Sequence, residues 1–253
     1  MTKMSAKPYL LLDAGGTFLF VDQDYLSRLA DRHGLQVEAR RFYEQHYRLV
    51  HWFDTYVSTQ RRFLSGLGEP YSQILLRLVG LSEEVAAQAA QVAEARHKQR
   101  NLWEFTFPWI VDTLDQLKDE GYRMSIVSNA DGRVEEQLHH LEMRGYFERV
   151  YDSEVVGVEE PEPGIYELAL NDLGLWPEEA LFVGDMFYID IWGANRVGIP
   201  GLHLDPLGLY EEWPGVHIRD LRQLPGWLKE YAAAPEQFEM LPLRDFALLS
   251  ERE

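Results

Sequence analysis

The sequence predicts an α/β fold, a parallel sheet with helices on both faces, interrupted after its first strand by an all-helical segment. Three observations carry this. Short apolar runs stop abruptly at polar residues, beginning with Pro8-Tyr9-Leu10-Leu11-Leu12 and then Asp13. Continuous runs of this kind mark strands buried on both faces. After Pro108 such runs alternate with helical stretches, the order that builds a parallel sheet. Between about Tyr25 and Arg100 the pattern is helical throughout.

Taken in order, the first strand is followed by Gly15 and Gly16, a tight-turn signal. In the helical segment Phe42, Tyr43, Tyr47, Val50 and Trp52 recur at helical spacing. Ser82 is placed to cap a helix with Glu83 and Glu84 in its first turn, which runs through alanines towards Lys98. Beyond Pro108 a helix over Trp109–Glu120 closes at Gly121, and a strand over Tyr122–Val127 stops at Ser128-Asn129. A helix covers roughly Arg133–Met143, and Arg149-Val150-Tyr151 opens a short strand. A helix over Gly164–Leu173 ends at Gly174, and the strand Leu181-Phe182-Val183 ends at Gly184-Asp185. A helix from Asp190 leads to the strand Leu202-His203-Leu204, and from Pro235 onward the chain reads only as peripheral and acidic.

Composition narrows the function classes. The 253 residues carry 24 basic and 42 acidic side chains, a formal charge of −18. Such an excess of acid argues against nucleic acid or an anionic membrane as partner. With no cysteine there is neither a disulfide framework nor a thiolate nucleophile. No apolar run reaches the ~20 residues of a membrane span. The first eight residues lack a signal-peptide stretch, so a cytoplasmic location is the expectation.

Ligands of an open parallel sheet bind outside the carboxyl ends of its strands. Three expected strands end there in polar residues: Asp13, Ser128-Asn129, and Asp185 with Asp190 shortly after. A strand-end carboxylate followed by glycines suits nucleophilic attack, because small residues expose backbone N–H groups to an incoming anion. Two further carboxylates opposite it make a hard-oxygen site of the kind Mg²⁺ takes. Ser128 can donate to a phosphoryl oxygen. Each residue alone has a plainer role, as turn former, helix cap or first-turn acid. Their coincidence at one set of strand ends favours the functional reading.

The run Leu11-Leu12-Asp13-Ala14-Gly15-Gly16-Thr17 resembles the first motif of the haloacid dehalogenase-like hydrolases, and Ser128-Asn129 after an apolar strand resembles their second. Gly157-Val158-Glu159-Glu160-Pro161-Glu162-Pro163-Gly164-Ile165-Tyr166 is similar to the third, and Gly184-Asp185 through Asp190 to Gly193-Ala194 to the fourth. The ordered set covers roughly residues 8–206. The resemblance implies a doubly wound, Rossmann-like core (residues 1–19 and 106–253) with an inserted, mobile α-helical cap domain (20–105). It implies hydrolysis through an aspartyl-enzyme intermediate, with Asp13 as nucleophile and Ser128 orienting the transferring group. Gly15, Gly16 and Asn129 would serve substrate binding. Asp185 would hold Mg²⁺ together with Asp13 and the Gly15 carbonyl, supported by Asp190 through water.

The chain departs from the family pattern twice. Most family phosphatases carry a second aspartate two positions after the nucleophile, as the acid that protonates the leaving group; here that position is Gly15. The third motif normally supplies a lysine before Pro-Asp-Pro; here Glu160 precedes Pro161-Glu162-Pro163. A positioned general acid is worth about 10²–10⁴ in rate and one electrostatic stabiliser about 10²–10³. Accelerations of phosphate-monoester hydrolysis reach ~10²¹, so loss of both leaves room for catalysis. The expectation is a weak Mg²⁺-dependent phosphatase of small phosphorylated metabolites, better on leaving groups of low pKa, and monomeric or homodimeric.

A non-catalytic binding protein is the alternative, because Asp13, Glu160, Asp185 and Asp190 together repel a dianion unless a cation relieves them. Arg133 is the candidate replacement for the lysine. Haloacid dehalogenation ranks third, since that branch commonly carries tyrosine at the Gly15 position, keeps the lysine and uses no metal. Phosphonate cleavage needs a cap lysine, and the one lysine between Asp22 and Trp103 is Lys98.

In the helical segment Tyr25, Phe42, Tyr43, His46, Tyr47, His51, Trp52, Phe53 and Tyr56 are expected mostly to fill its own core. A few of them, with Phe18 and Phe20, are candidates to line an apolar pocket, and Met186, Phe187 and Tyr188 to add bulk at the site. Arg28, Arg32, Arg61 and Arg62 are candidate anion contacts.

Overall fold

A computed structural model describes residues 7–60 and 68–234. In chain order the elements are β1 (Tyr9–Leu12), α1 (Gln23–Arg32), α2 (Ala39–Gln60), α3 (Tyr71–Leu78), α4 (Glu83–Gln99), α5 (Pro108–Asp119) and β2 (Met124–Ser128). Then follow α6 (Val134–His140), β3 (Val150–Asp152), α7 (Ser153–Val156), α8 (Pro163–Leu173), β4 (Ala180–Gly184), a π-helical turn (Phe187–Trp192) and α9 (Gly193–Arg196). The last elements are β5 (Gly201–Leu204), β6 (Val216–Ile218) and α10 (Leu224–Ala233).

The six strands form one parallel sheet in the order β3-β2-β1-β4-β5-β6. The chain starts in the middle, winds outward to β3, then returns to the other side of β1. This is a doubly wound core, and its switch point lies between β1 and β4, where ligand crevices form. Every residue of β1, β2 and β4 is buried, which explains their largely apolar spelling; within β2 the buried Ser125 is partnered by Tyr9 Oη at 2.6 Å. Tyr9, Leu11, Val127, Tyr166, Phe182 and Ile199 share one packed cluster on the sheet.

Backbone contacts divide the chain into two compact units, one of residues up to Phe18 and from Phe107 onward, the other Leu19–Thr106. In the second unit an antiparallel bridge pairs Phe20 with Phe105, joining the entering and leaving segments. Ser82 caps α4 by accepting from the Val85 N–H, with Glu83 and Glu84 in the first turn, as expected. Ala86, Ala89, Ala90 and Ala93 form the buried stripe of α4, small enough for α3 to lie close, with Ile74 and Leu75 in the same core. Arg96 donates to Asp22 (2.9 Å) and to Glu104 (2.8 Å), tying both ends of this unit to α4.

Three stretches differ from expectation. The helix expected from Asp190 begins instead at Phe187 as the π-helical turn; at its start Asp190 N–H donates to Met186 O (2.8 Å) and Met186 N–H to the Asp190 carboxylate (2.9 Å). The helix expected over Arg133–Met143 stops at His140, and a 3₁₀ turn covers Arg144–Tyr146. The elements β6, α7 and α10 were not anticipated. The tail from Pro235, Arg61 and Arg62 lie outside the described residues. Among the described residues no helix is long and apolar enough to cross a membrane.

Candidate active site

Asp13 follows β1, and its N–H donates to Val183 O (2.9 Å), extending the β1–β4 ladder by one bond. Its carboxylate therefore emerges at the switch point. Gly16 then turns the chain at φ +81°, a left-handed conformation a side chain would strain. The turn is closed by Thr17 and Phe18 N–H groups donating to Ala14 O (3.3 and 3.1 Å). Two hydroxyls hold the carboxylate: Ser128 Oγ, at the end of β2, donates to Oδ1 (2.8 Å), and Thr17 Oγ1 donates to Oδ2 (3.2 Å).

Glu160 is held by its backbone. Asn129 Nδ2 donates to Glu160 O (2.9 Å), and Asn129 Oδ1 accepts from Glu160 N–H (2.8 Å). This two-point clamp pins the loop before α8 to the end of β2. Tyr166 Oη lies 2.8 Å from Ile189 O and 3.2 Å from Glu160 Oε1. A tyrosine has one proton, and the carbonyl is the nearer acceptor. The contact with Glu160 therefore becomes a hydrogen bond when the carboxyl is protonated and donates to Oη. Gly193 makes this possible: a Cβ there would stand 3.0 Å from Tyr166 Cζ and closer still to Oη.

Asp190 sits against Gly184, where a Cβ would come within 2.7 Å of the Asp190 Cβ and 2.6 Å of its Cγ. Asp185, after β4, is 1% exposed, and its charge weighs on both Asp13 and Asp190. Its carbonyl lies 2.9 Å from His203 Nε2, which must donate, since a carbonyl only accepts.

Carboxylate oxygens of Asp13, Glu160 and Asp190 lie within 4.8 Å of one another, and all three residues are buried. Burial first, then the Asp185 charge, pushes the Asp13 carboxyl up to about 8, against the Ser128, Ala14 and Thr17 hydrogen bonds. Burial and the neighbouring Asp13 hold Glu160 well above the usual carboxylate range, and burial with Asp13, Glu160 and Asp185 does the same to Asp190. A set of hard oxygen donors with this surplus of negative charge fits a divalent cation.

In protein stripped of metal these shifts fix the sign of a pH effect. Unfolded carboxyls titrate near pH ~4. The native state therefore holds protons that the unfolded state has lost between about pH 4 and the raised native values, and stability falls as pH rises through that window. Chelator-treated protein is expected to melt at a higher temperature at pH 5.5 than at pH 8. A melting temperature that rises over the same interval would show the three acids ionised in the metal-free fold.

Several sequence expectations change. Arg133 does not replace the lysine: its guanidinium pairs with Asp131, and it is not among the charges acting on Asp13, Glu160 or Asp190. Phe18 is fully buried and stacks on Phe147, while Phe20 packs on Tyr43. Phe187 is fully buried with Ile191 and Tyr210, and Tyr188 stacks on Trp192. In the helical unit Phe42, Tyr47 and Phe53 are buried, as expected of a core, whereas Trp52 is half exposed and stacks on Tyr56. Arg28 and Arg32 lie on an exposed helical face.

Sequence reasoning gave no role to Thr17, Tyr166 or His203. Thr17 was legible, four residues beyond Asp13; no local signal marks the other two, which reach their partners only through the fold.

Comparison with known proteins identifies the family. Residues 9–198 match the haloacid dehalogenase-like hydrolase family. A glyceraldehyde 3-phosphate phosphatase of Methanopyrus kandleri is 37% identical over 127 residues, 50% of this chain and 54% of that protein. A protein of the same name from Pyrococcus furiosus is 32% identical over 201 residues, 76% of this chain and 78% of its own length. The solved structure of the magnesium-bound HAD-hydrolase YfnB from Bacillus subtilis superposes with a TM-score of 0.58 at 17% identity, covering 88% of this chain and 98% of that one, a likeness of fold. The family match runs from β1 past α9 and so takes in Asp13, Ser128, Glu160, Asp185 and Asp190: the chain belongs to the haloacid dehalogenase-like hydrolases, with a carboxylate at the third-motif lysine position.

Proposed function

We propose that the protein is a Mg²⁺-dependent phosphatase of a small phosphorylated metabolite. The observation that carries the reading is the buried Asp13 carboxylate at the switch point, oriented by Ser128 and Thr17 and facing further acids. The names of the archaeal relatives support a small phosphorylated substrate. Asp13, the Gly15 carbonyl, Asp185 and Asp190 would hold the ion. When bound, it offsets the charge of these acids and of the phosphoryl group.

The chemistry of the chain itself has two steps. An Asp13 oxygen forms a bond to phosphorus as the bond from phosphorus to the leaving-group oxygen breaks, giving an aspartyl phosphate. Water then attacks that phosphorus, releasing inorganic phosphate and restoring Asp13. Ser128 and Thr17 fix which carboxylate lone pairs face the substrate, a matter of positioning worth several orders of magnitude. Gly15 and Gly16, with no side chains to block an approach, would lie beside the phosphoryl oxygens. Gly15 offers no acid, so the leaving oxygen departs as an anion, and substrates whose leaving group has a low pKa are turned over best.

The charge reversal at Glu160 favours a second reading, a protein that binds its ligand without turning it over. Hydrolysis of an aryl phosphate with and without Mg²⁺ separates the two. Metal-dependent release of the phenol is expected, raised about 10²–10³-fold by Glu160→Lys. No turnover in either protein would leave the binding reading.

A further inference from the structure

We propose that Glu160 is itself a ligand of the divalent cation, so that the position where the family keeps a lysine serves here to hold metal. The inference rests on the phosphatase reading only in placing the cation at Asp13.

Reach comes first. Ligand oxygens around one Mg²⁺ stand about 3–4 Å apart, and around the larger Ca²⁺ up to about 5 Å. The oxygens of Asp13, Glu160 and Asp190, within 4.8 Å of one another, lie within the span of the larger ion and would draw together by less than an ångström on Mg²⁺.

The second observation is the state of the Glu160 side chain. The residue is 2% exposed, and among the described residues the hydrogen-bonding contact of its carboxylate is with Tyr166, at Oε1. A carboxylate this deeply buried normally accepts several hydrogen bonds or meets a cation. The charges that act most strongly on Asp13, Glu160 and Asp190 are one another and Asp185. A bound divalent ion answers the deficit of all three.

The third is rigidity. The Asn129 clamp fixes both backbone groups of Glu160, so the carboxylate is aimed before any ion arrives. Relative to a lysine, Glu160 changes the charge at ligand distance by two units. The consequence is a site that holds its cation tightly and a dianionic substrate weakly, so Glu160 raises metal affinity and raises KM for phosphate monoesters together.

The test is a titration of the full chain with Mn²⁺ alone, free ion read by electron paramagnetic resonance, for wild type, Glu160→Gln and Asp185→Asn. Glu160→Gln keeps the shape and removes one anionic ligand, and is expected to weaken Mn²⁺ binding at least about tenfold. Glu160→Gln that binds within twofold of wild type, or wild type that binds no Mn²⁺, overturns the proposal. Should Glu160→Gln fold poorly, the Mn²⁺-induced rise in melting temperature of Glu160→Ala takes its place, with a rise equal to wild type counting against. Phosphatase activity does not enter this readout, so loss of the ligand role and loss of the hydrolytic role are seen separately.

Discussion

Asp13→Asn is expected to lower aryl phosphate hydrolysis by about 10⁴ or more, the scale seen when a covalent nucleophile is removed. The same substitution is expected to leave the metal-free protein at least as stable as wild type at pH 8. The amide keeps an acceptor for Ser128, and its N–H groups can donate to Thr17 Oγ1, so the two hydroxyls that hold residue 13 retain partners. What disappears is a buried charge raised by burial and by Asp185. Activity and stability moving in opposite directions is the signature of a functional group kept at a cost to the fold. Turnover and thermal melting of one preparation check both halves. Retention of more than a tenth of the rate would remove Asp13 as nucleophile.

Gly184→Ala is expected to be the most damaging small substitution near the site, destabilising by about 1–3 kcal/mol and abolishing turnover. Its methyl would press into Asp190, 2.6 Å from Cγ. Neither neighbour can give way easily. Gly184 ends a fully buried central strand and is registered against His203 of β5. Asp190 is held from its other side by the Met186 N–H (2.9 Å). Gly174→Ala is the control: unlike Gly184 it sits at a left-handed φ of +66°, and nothing lies within 4 Å of its Cβ. That change costs about 1 kcal/mol through the backbone alone and leaves turnover intact. Urea unfolding and aryl phosphate assays of the pair distinguish a packed catalytic carboxylate from a merely strained turn.

The limits of the sequence reading follow from chain physics. β1, β2 and β4 were legible because strands buried on both faces are spelled mostly in apolar residues, with Ser125 inside β2 a buried polar exception. β6 was not, because Val216–Ile218 is three residues long and follows Trp213-Pro214-Gly215, too short for any period to show. α10 opens with Leu224-Pro225-Gly226, which reads as a break although proline is tolerated in a first helical turn. Its apolar residues Leu224, Trp227, Leu228 and Tyr231 do recur at helical spacing. The π-helical turn over Phe187–Trp192 has no periodicity of its own that the sequence could show.

Polar residues at the ends of apolar runs were sufficient to name Asp13, Ser128, Asp185 and Asp190 as one set, because a parallel sheet brings all its strand ends to one edge whatever lies between them. The charge reversal at Glu160 was equally plain from order along the chain. Tertiary structure alone decided that Glu160 closes on Asp13 and Asp190, that Asn129 spends its amide on the Glu160 backbone, and that Arg133 turns to Asp131. These are contacts between segments far apart in the chain, or choices among nearby partners. Their outcome depends on distances of a few ångströms, which only the packed sheet and its helices set.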